Sequence, residues 1–248
     1  MYYCDKINIL DKREWTYMKR GLLIVIESGS DGSGKATQTN VLYDKLKLDK
    51  FNVKKITFPN YDSPACMPVK MYLSGAFGKN ATDVNAYAAS TFYAIDRFAS
   101  YKTDWGEFYN NGGIVLTDRY TTSNMVHQAS KMAKSDRDEY LNWLYDLEYN
   151  HYGLPTPDLV LFLNVSPTVT SELIKNRANK FTNESEKDIH ENNFEYLMES
   201  YNNSLDIVSK YGWINIDCVK DGNMRAIEDI HNEIYMHVTK LIERETSM

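Results

Sequence analysis

The chain has 248 residues, of which 43% are hydrophobic and 25% are charged, and its formal net charge is −6. This length suits one α/β domain with a sizeable core. The negative balance argues against a general electrostatic grip on nucleic acid polymers, and no apolar segment approaches the ~20 residues that span a bilayer. Three widely spaced cysteines, Cys4, Cys66 and Cys218, show no metal-like spacing and fit free thiols in a reducing compartment. We therefore expect a cytoplasmic protein without membrane or nucleic acid partners.

The first part of the chain, residues 1–17, is mixed charged and polar and lacks the apolar core of a secretory signal. We predict that it is an N-terminal extension and that residues 18–248 form a single domain. The apolar run from Leu22 to Ile26 then predicts the first strand.

A glycine-rich stretch follows this strand with the G-x-x-x-x-G-K spacing of a phosphate-binding loop. Its glycines allow successive N–H groups to surround an anion, and the next helix adds its positive N-terminal end. Lys35 supplies a mobile ammonium, whereas Ala36 stands where a Ser or Thr normally coordinates Mg²⁺. We therefore predict that nucleotide phosphates are held by Gly29, Ser30, Asp31, Gly32, Ser33, Gly34, Lys35, Ala36 and Thr37.

The rest of the chain alternates helical and strand patterns. Apolar periodicity predicts helices over residues 37–50, 68–76, 83–110, 123–133, 136–150, 167–178, 191–211 and 223–243. Apolar runs predict strands over residues 52–57, 114–117, 159–165 and 213–217. The polar segment 179–190 is predicted to be mobile. Strands that alternate with helices indicate βαβ units, so we predict an α/β fold with a parallel sheet.

Asp118 and Arg119 follow the predicted strand 114–117, at the sheet edge where doubly wound folds bind ligands. A carboxylate placed beside a phosphate loop is typical of a group that holds Mg²⁺ or its water. Asp118 could instead pair with Arg119 or cap the next helix. The guanidinium of Arg119 offers a planar fork for phosphate. Arg97 lies within an aromatic stripe of the helix 83–110, where it needs a partner.

Together these motifs resemble those of the thymidylate kinase family. The matching pieces, in family order, are the phosphate loop with Gln38, Phe58-Pro59, Asp96-Arg97, residues 118–123 and residues 157–167. The resemblance implies a P-loop NTPase-type three-layer fold, in which helices flank a five-stranded parallel sheet and a mobile lid spans about 175–191. It also implies an ATP- and Mg²⁺-dependent phosphotransferase that converts dTMP to dTDP, and a homodimer.

Five positions are candidates for catalysis. By the resemblance, Lys35 would bind the donor β- and γ-phosphates and Arg119 would hold the acceptor phosphate. From its place beside the phosphate loop, Asp118 would hold the metal or its water. Because the phosphate loop has no arginine, the resemblance points to the lid residues Arg177 and Lys180 as catalytic cations. Those two side chains could equally be solvated helix charges.

The resemblance also assigns the acceptor site. Asp31 would contact the 3′-hydroxyl of the sugar, Tyr93 would stack on thymine, and Arg97 would hydrogen-bond the base. The other predicted acceptor contacts are Phe58, Pro59, Arg119, Ser123, Asn124 and His127.

Four positions depart from the family pattern. Ala36 removes the usual metal-ligating hydroxyl, and Ser28 replaces the acid before the first loop glycine, with Glu27 displaced by one. Tyr61 stands where many members have an arginine for the acceptor phosphate, and His127 stands where many have a tyrosine or phenylalanine facing the sugar 2′ position. The nucleotide-kinase class survives these changes. The alternatives are another (deoxy)nucleoside monophosphate or a nucleoside as acceptor, or a non-catalytic nucleotide-binding homologue.

Overall fold

The computed structural model describes residues 20–80, 82–171 and 194–247. Its main sheet contains β1 (Leu22–Glu27), β2 (Val53–Thr57), β3 (Ile114–Asp118), β4 (Leu159–Asn164) and β5 (Ile214–Asp217). The five strands are parallel and lie in the order β2-β3-β1-β4-β5. The predicted parallel α/β sheet is therefore confirmed.

Helices cover both faces of the sheet. They are α1 (Lys35–Leu48), α2 (Met67–Leu73), α3 (Ala86–Ser100), α4 (Gly106–Asn110), α5 (Thr121–His127), α6 (Arg137–Tyr145), α7 (residues 167–171), α8 (Phe194–Tyr211) and α9 (Ile227–Thr246). A π-helical turn, Tyr101–Trp105, joins α3 to α4, and a second, Asp146–His151, extends α6. Within the described ranges, no helix is both long and apolar enough to cross a lipid bilayer.

The largest difference from the predicted elements lies after β5. The sequence pattern placed a helix over residues 223–243, but β6 (Val219–Lys220) and β7 (Asn223–Met224) form a small antiparallel hairpin there. Asp221 and Gly222 turn this hairpin with φ values of 51° and 78°. Strands of two residues are too short for periodicity to reveal them. The predicted extension 1–17 and the lid 175–191 with Arg177 and Lys180 lie outside the described residues.

Burial on both faces of the sheet explains why the sequence of β1 is a continuous apolar run. All six of its residues are buried, because successive side chains point to opposite faces and helices cover both. Leu22, Ile24 and Ile26 join the core that includes side chains of α1 and α9. Leu23 and Val25 join the aromatic core on the other face.

The sheet brings the candidate functional residues to one edge. In the register of β1 and β3, Ile26 pairs with Asp118, so the phosphate loop and Asp118 leave adjacent strands at the same level. Gly34 has φ 93° directly before α1, a conformation that favours glycine. The N–H of Phe58 donates to the carbonyl of Asp118 at 3.0 Å, which ties the end of β2 to the same edge.

Candidate active site

The phosphate loop holds its own lysine in place. The Nζ atom of Lys35 donates to the Ser28 hydroxyl at 2.7 Å and to the carbonyl of Ser30 at 3.1 Å. The Ser33 hydroxyl also bonds that of Ser28, at 2.8 Å. Burial lowers the pKa of Lys35, and the charge of Arg119 lowers it further, whereas nearby carboxylates oppose the shift. The lysine is thus a desolvated cation poised at the start of α1.

Arg119 is the second cation of the site, and its side chain is 19% exposed. Its Nη2 atom bonds the carboxylate of Asp31, and its Nη1 atom lies 3.2 Å from Nε2 of His127 and 3.9 Å from Oε1 of Glu27. Burial opposes its charge, but Asp31, Glu27 and Asp118 together raise its pKa above the ordinary value. Its backbone has φ 69°, a strained conformation of the kind that clusters at functional sites.

Glu27 is a fully buried carboxylate at the end of β1. Its Oε1 atom accepts the N–H of Ser28 at 2.9 Å. Its Oε2 atom accepts the hydroxyls of Thr122 at 2.8 Å and Ser123 at 2.6 Å. One side chain therefore links the phosphate loop to the first turn of α5. The sequence marked Glu27 only as a displaced acid, since its partners on α5 lie about a hundred residues away.

Asp118 offers a carboxylate oxygen that no described protein group uses. Its Oδ1 atom is buried and has no hydrogen-bond partner within the described part of the chain. Burial raises its pKa, while Lys35 and Arg119 oppose the shift. A buried anionic oxygen without a donor fits a hard cation such as Mg²⁺ or its water. Among the described residues, no group of three or more His, Cys, Asp or Glu side chains could hold a metal ion, so phosphate and water oxygens would supply most ligands.

Lys35, Asp118 and Arg119 line a cavity of about 520 Å³, a size that suits a small ligand. Most of the predicted site residues that the structure describes line it: Asp31, Gly32, Gly34, Lys35, Ala36, Thr37, Phe58, Pro59, Tyr93, Arg97, Asp118, Arg119, Ser123, Asn124 and His127. The remaining loop residues, Gly29, Ser30 and Ser33, are buried and do not line it.

Aromatic side chains form one wall of the cavity. Tyr93 meets the edge of Tyr72 at a centroid distance of 6.3 Å and an interplanar angle of 88°. Tyr196 reaches the cavity from α8 and donates its hydroxyl to the carbonyl of His127 at 2.8 Å. Sequence analysis missed Tyr196, because a tyrosine at helical spacing carries no signal that distinguishes a cavity wall from the core.

Gln128 is a second residue that sequence analysis missed. It is buried, lines the cavity, and its Oε1 atom has no hydrogen-bond partner in the described ranges. Buried amides are normally satisfied, so an unpartnered acceptor beside a cavity indicates a ligand contact. Its position directly after His127 was the available signal.

Arg97 has the partner that its place among aromatic residues required. Its Nε and Nη2 atoms each donate to the carboxylate of Glu148 at 2.6 Å, and both side chains are at most 1% exposed. Nη1 donates to the carbonyl of Tyr120 at 3.3 Å, and the Thr121 hydroxyl donates to Glu148 at 2.8 Å. Arg97 thus reaches the cavity with most of its donors committed, and its contact with a base stays a prediction.

Removing one partner of this ion pair should make the protein easier to unfold. Glu148→Ala leaves a buried guanidinium uncompensated, so we expect the free energy of unfolding to fall by about 3–5 kcal/mol. Denaturant titration measures it. The control is Asp138→Ala, which breaks the exposed pair with Lys210 and should change stability far less because water screens it. Equal losses of unfolding free energy for the two variants would show that the buried pair stabilises the protein no more than the exposed pair does.

Comparison with known proteins gives a consistent result. The model of the thymidylate kinase family matches residues 26–234. The thymidylate kinase of Mycobacterium tuberculosis H37Rv is 30% identical over 160 residues, which are 64% of this chain and 73% of that protein. The Plasmodium falciparum enzyme is 28% identical over 224 residues, 90% of this chain and 92% of that one.

A solved structure supports the same fold. Thymidylate kinase from Candida albicans superimposes with a TM-score of 0.65 at 21% identity and covers 92% of this chain and 94% of that one. This likeness shows that the two proteins share a fold. On the family match over most of its length, the chain belongs to the thymidylate kinase family.

Proposed function

We propose that this protein transfers the γ-phosphate of ATP to dTMP, giving ADP and dTDP. One observation carries the proposal besides the family membership: two cations converge on a single oxygen beside the cavity. Oδ1 of Asp31 lies 3.7 Å from Nζ of Lys35 and also bonds Nη2 of Arg119. Because both cations approach the same oxygen, a donor phosphate bound to Lys35 and an acceptor phosphate bound to Arg119 would lie close enough to react.

The chemistry requires positioning more than proton transfer. The acceptor phosphate is already an anionic nucleophile, so one of its oxygens attacks the γ-phosphorus while the bond to the ADP oxygen breaks. Lys35 would bind the donor phosphates and Arg119 the acceptor phosphate, which replaces Asp31 on the guanidinium. Charge stabilisation by fixed donors in a dry site then lowers the barrier. Arg177 and Lys180, outside the described residues, stay proposed as further cations.

The base end of the cavity supports a nucleobase with an N–H group. Within the part of the chain that the structure describes, the buried Oε1 atom of Gln128 has no hydrogen-bond partner, and an N–H of thymine would satisfy it. Tyr93 offers a ring face for stacking, and Asn124 lines the same cavity. Asp31, once released from Arg119, is the proposed partner of the sugar 3′-hydroxyl.

We propose Mg²⁺ as the metal, held by Asp118 directly or through water and by the donor phosphates. When bound, the ion neutralises charge on those phosphates. Ala36 lines the cavity but has no side-chain oxygen, so water would take the place of the usual hydroxyl.

A homodimer and a cytoplasmic location complete the proposal. Met67 and Met71 lie one turn apart on α2, and with Ile95 of α3 they are at least 42% exposed, which supports an apolar contact between copies. Sedimentation equilibrium tests the dimer, and a single monomeric species at micromolar concentration would exclude it. Cys66 and Cys218 are free buried thiols, as expected in a reducing compartment. Cell fractionation tests the location.

An acceptor screen tests the activity. With ATP and Mg²⁺, we expect dTMP to give the fastest ADP release among nucleosides and nucleoside monophosphates. Lys35→Ala is the control and should lower turnover by ~100-fold or more, because it removes a positioned charge donor. A faster acceptor other than dTMP would reassign the substrate. Tight ATP binding with no ADP formed under any acceptor would support the non-catalytic alternative.

A Mg²⁺ titration tests the role of Ala36. Ala36→Ser restores a hydroxyl at the metal, so the half-saturating Mg²⁺ concentration at fixed ATP should fall. Ala36 is the second residue of α1, where a serine costs the helix little, so the fold should be unchanged. Superimposable curves for the two proteins would mean that water already fills the position equally well.

A further inference from the structure

Both terminal nitrogens of Arg119 are engaged in the described structure. Nη2 bonds Asp31, and Nη1 lies 3.2 Å from Nε2 of His127. Arginine has donors but no acceptor, so Nε2 must accept this hydrogen bond with its lone pair. The imidazole is therefore neutral whenever the contact with Arg119 is made.

An acceptor phosphate changes the surroundings of this imidazole. A phosphate that binds both terminal nitrogens of Arg119 bidentately competes with Asp31 and His127 for those donors. The Nε2 lone pair of His127 then lies beside a group that carries nearly two negative charges at neutral pH. A close anion favours the protonated form of histidine. This step rests on the proposed function, since it requires an acceptor phosphate at Arg119.

The charged groups around His127 oppose its protonation before the phosphate binds. Among the described residues, Arg119 is a charged group in contact with His127, and its charge disfavours a second positive charge. The carboxylates of Asp31, Glu27 and Asp118 all raise the pKa of Arg119, so their charge serves mainly to balance the guanidinium. A bound acceptor phosphate adds negative charge near His127 beyond that of these three carboxylates.

The tyrosines near His127 do not supply a competing charge. Tyr196 donates its hydroxyl to the carbonyl of His127, and Tyr93 lines the same cavity. Burial raises the pKa of both phenols, so they stay neutral near pH 7. Burial lowers the pKa of Lys131, which donates to the hydroxyl of Tyr72, to about 7. An imidazole can also change its charge near neutral pH, so a variant of His127 is needed to assign the proton.

We propose that His127 is a proton-linked ligand of the acceptor phosphate. In the empty site it is neutral and accepts from Arg119. When the phosphate displaces that bond, His127 takes up one proton from solvent at Nε2 and donates it to a phosphate oxygen. The added affinity is present below the pKa of the free imidazole and is lost as pH rises through the raised pKa of the complex.

Calorimetric titration of dTMP into the full chain at pH 7.5, in Pipes, Hepes and Tris buffers, counts the protons exchanged. The phosphate itself has a second pKa of about 6, so at this pH it is almost fully ionised. Nearby cations can only lower that pKa further, which releases protons rather than taking them up. Before dTMP binds, the hydrogen bond from Arg119 keeps Nε2 of His127 unprotonated. Net uptake that approaches roughly one proton per dTMP bound is the expected result.

Two variants assign the proton. His127→Gln keeps a side-chain acceptor for Arg119 but cannot titrate, so the uptake should disappear and dTMP affinity should become less dependent on pH. His151→Gln is the matched control, because His151 is an exposed histidine paired with Asp146, and its uptake should equal that of the parent. Thermal unfolding checks both folds, and His127→Asn serves as a second variant if the glutamine destabilises the protein.

The outcomes separate the two claims. Binding heat that does not depend on the buffer, or uptake that persists in His127→Gln, would overturn the role of His127 while leaving dTMP as the acceptor. Absence of any dTMP binding would overturn the proposed function and this inference with it.

Discussion

The site depends on keeping one guanidinium charged in a largely buried position. Burial works against the charge of Arg119, and the carboxylates of Asp31, Glu27 and Asp118 restore it. Arg119 has a strained backbone, with φ 69°, and its side chain bonds Asp31 of the phosphate loop. Asp31 is exposed enough to leave when a phosphate arrives, with 43% of its side chain accessible. Glu27 is fully buried, and we infer that it stays in place.

Glu27 also connects this local chemistry to the fold. Its carboxylate joins the end of the central strand to the first turn of α5 through Thr122 and Ser123. The other end of α5 is held by α8, since Tyr196 donates to the carbonyl of His127 and Asn203 donates to the two preceding carbonyls at 2.9 and 2.7 Å. The wall of the acceptor cavity is therefore fixed at both ends, as a preorganised site requires.

Local patterns predicted much of this arrangement, and long-range pairing explains what they missed. The run Leu22 to Ile26 and the loop spacing after it are local signals, so strand, loop and sheet edge followed from sequence. The partner of Arg97 did not, because Glu148 lies 51 residues away and an isolated glutamate carries no mark of burial. Strand alternation likewise decides which way Glu27 points, and that depends on pairing with β3 and β4.

The central claim is that Arg119 anchors the acceptor phosphate while Lys35 anchors the donor. Calorimetric dissociation constants for dTMP and for ATP, measured separately on the parent chain and on Arg119→Gln, test it most directly. Loss of charge-assisted hydrogen bonds should weaken dTMP binding by about tenfold or more. ATP affinity should change by less than about threefold, since Lys35 and the loop backbone are untouched. Equal weakening for both nucleotides, or unchanged dTMP binding, would contradict the account.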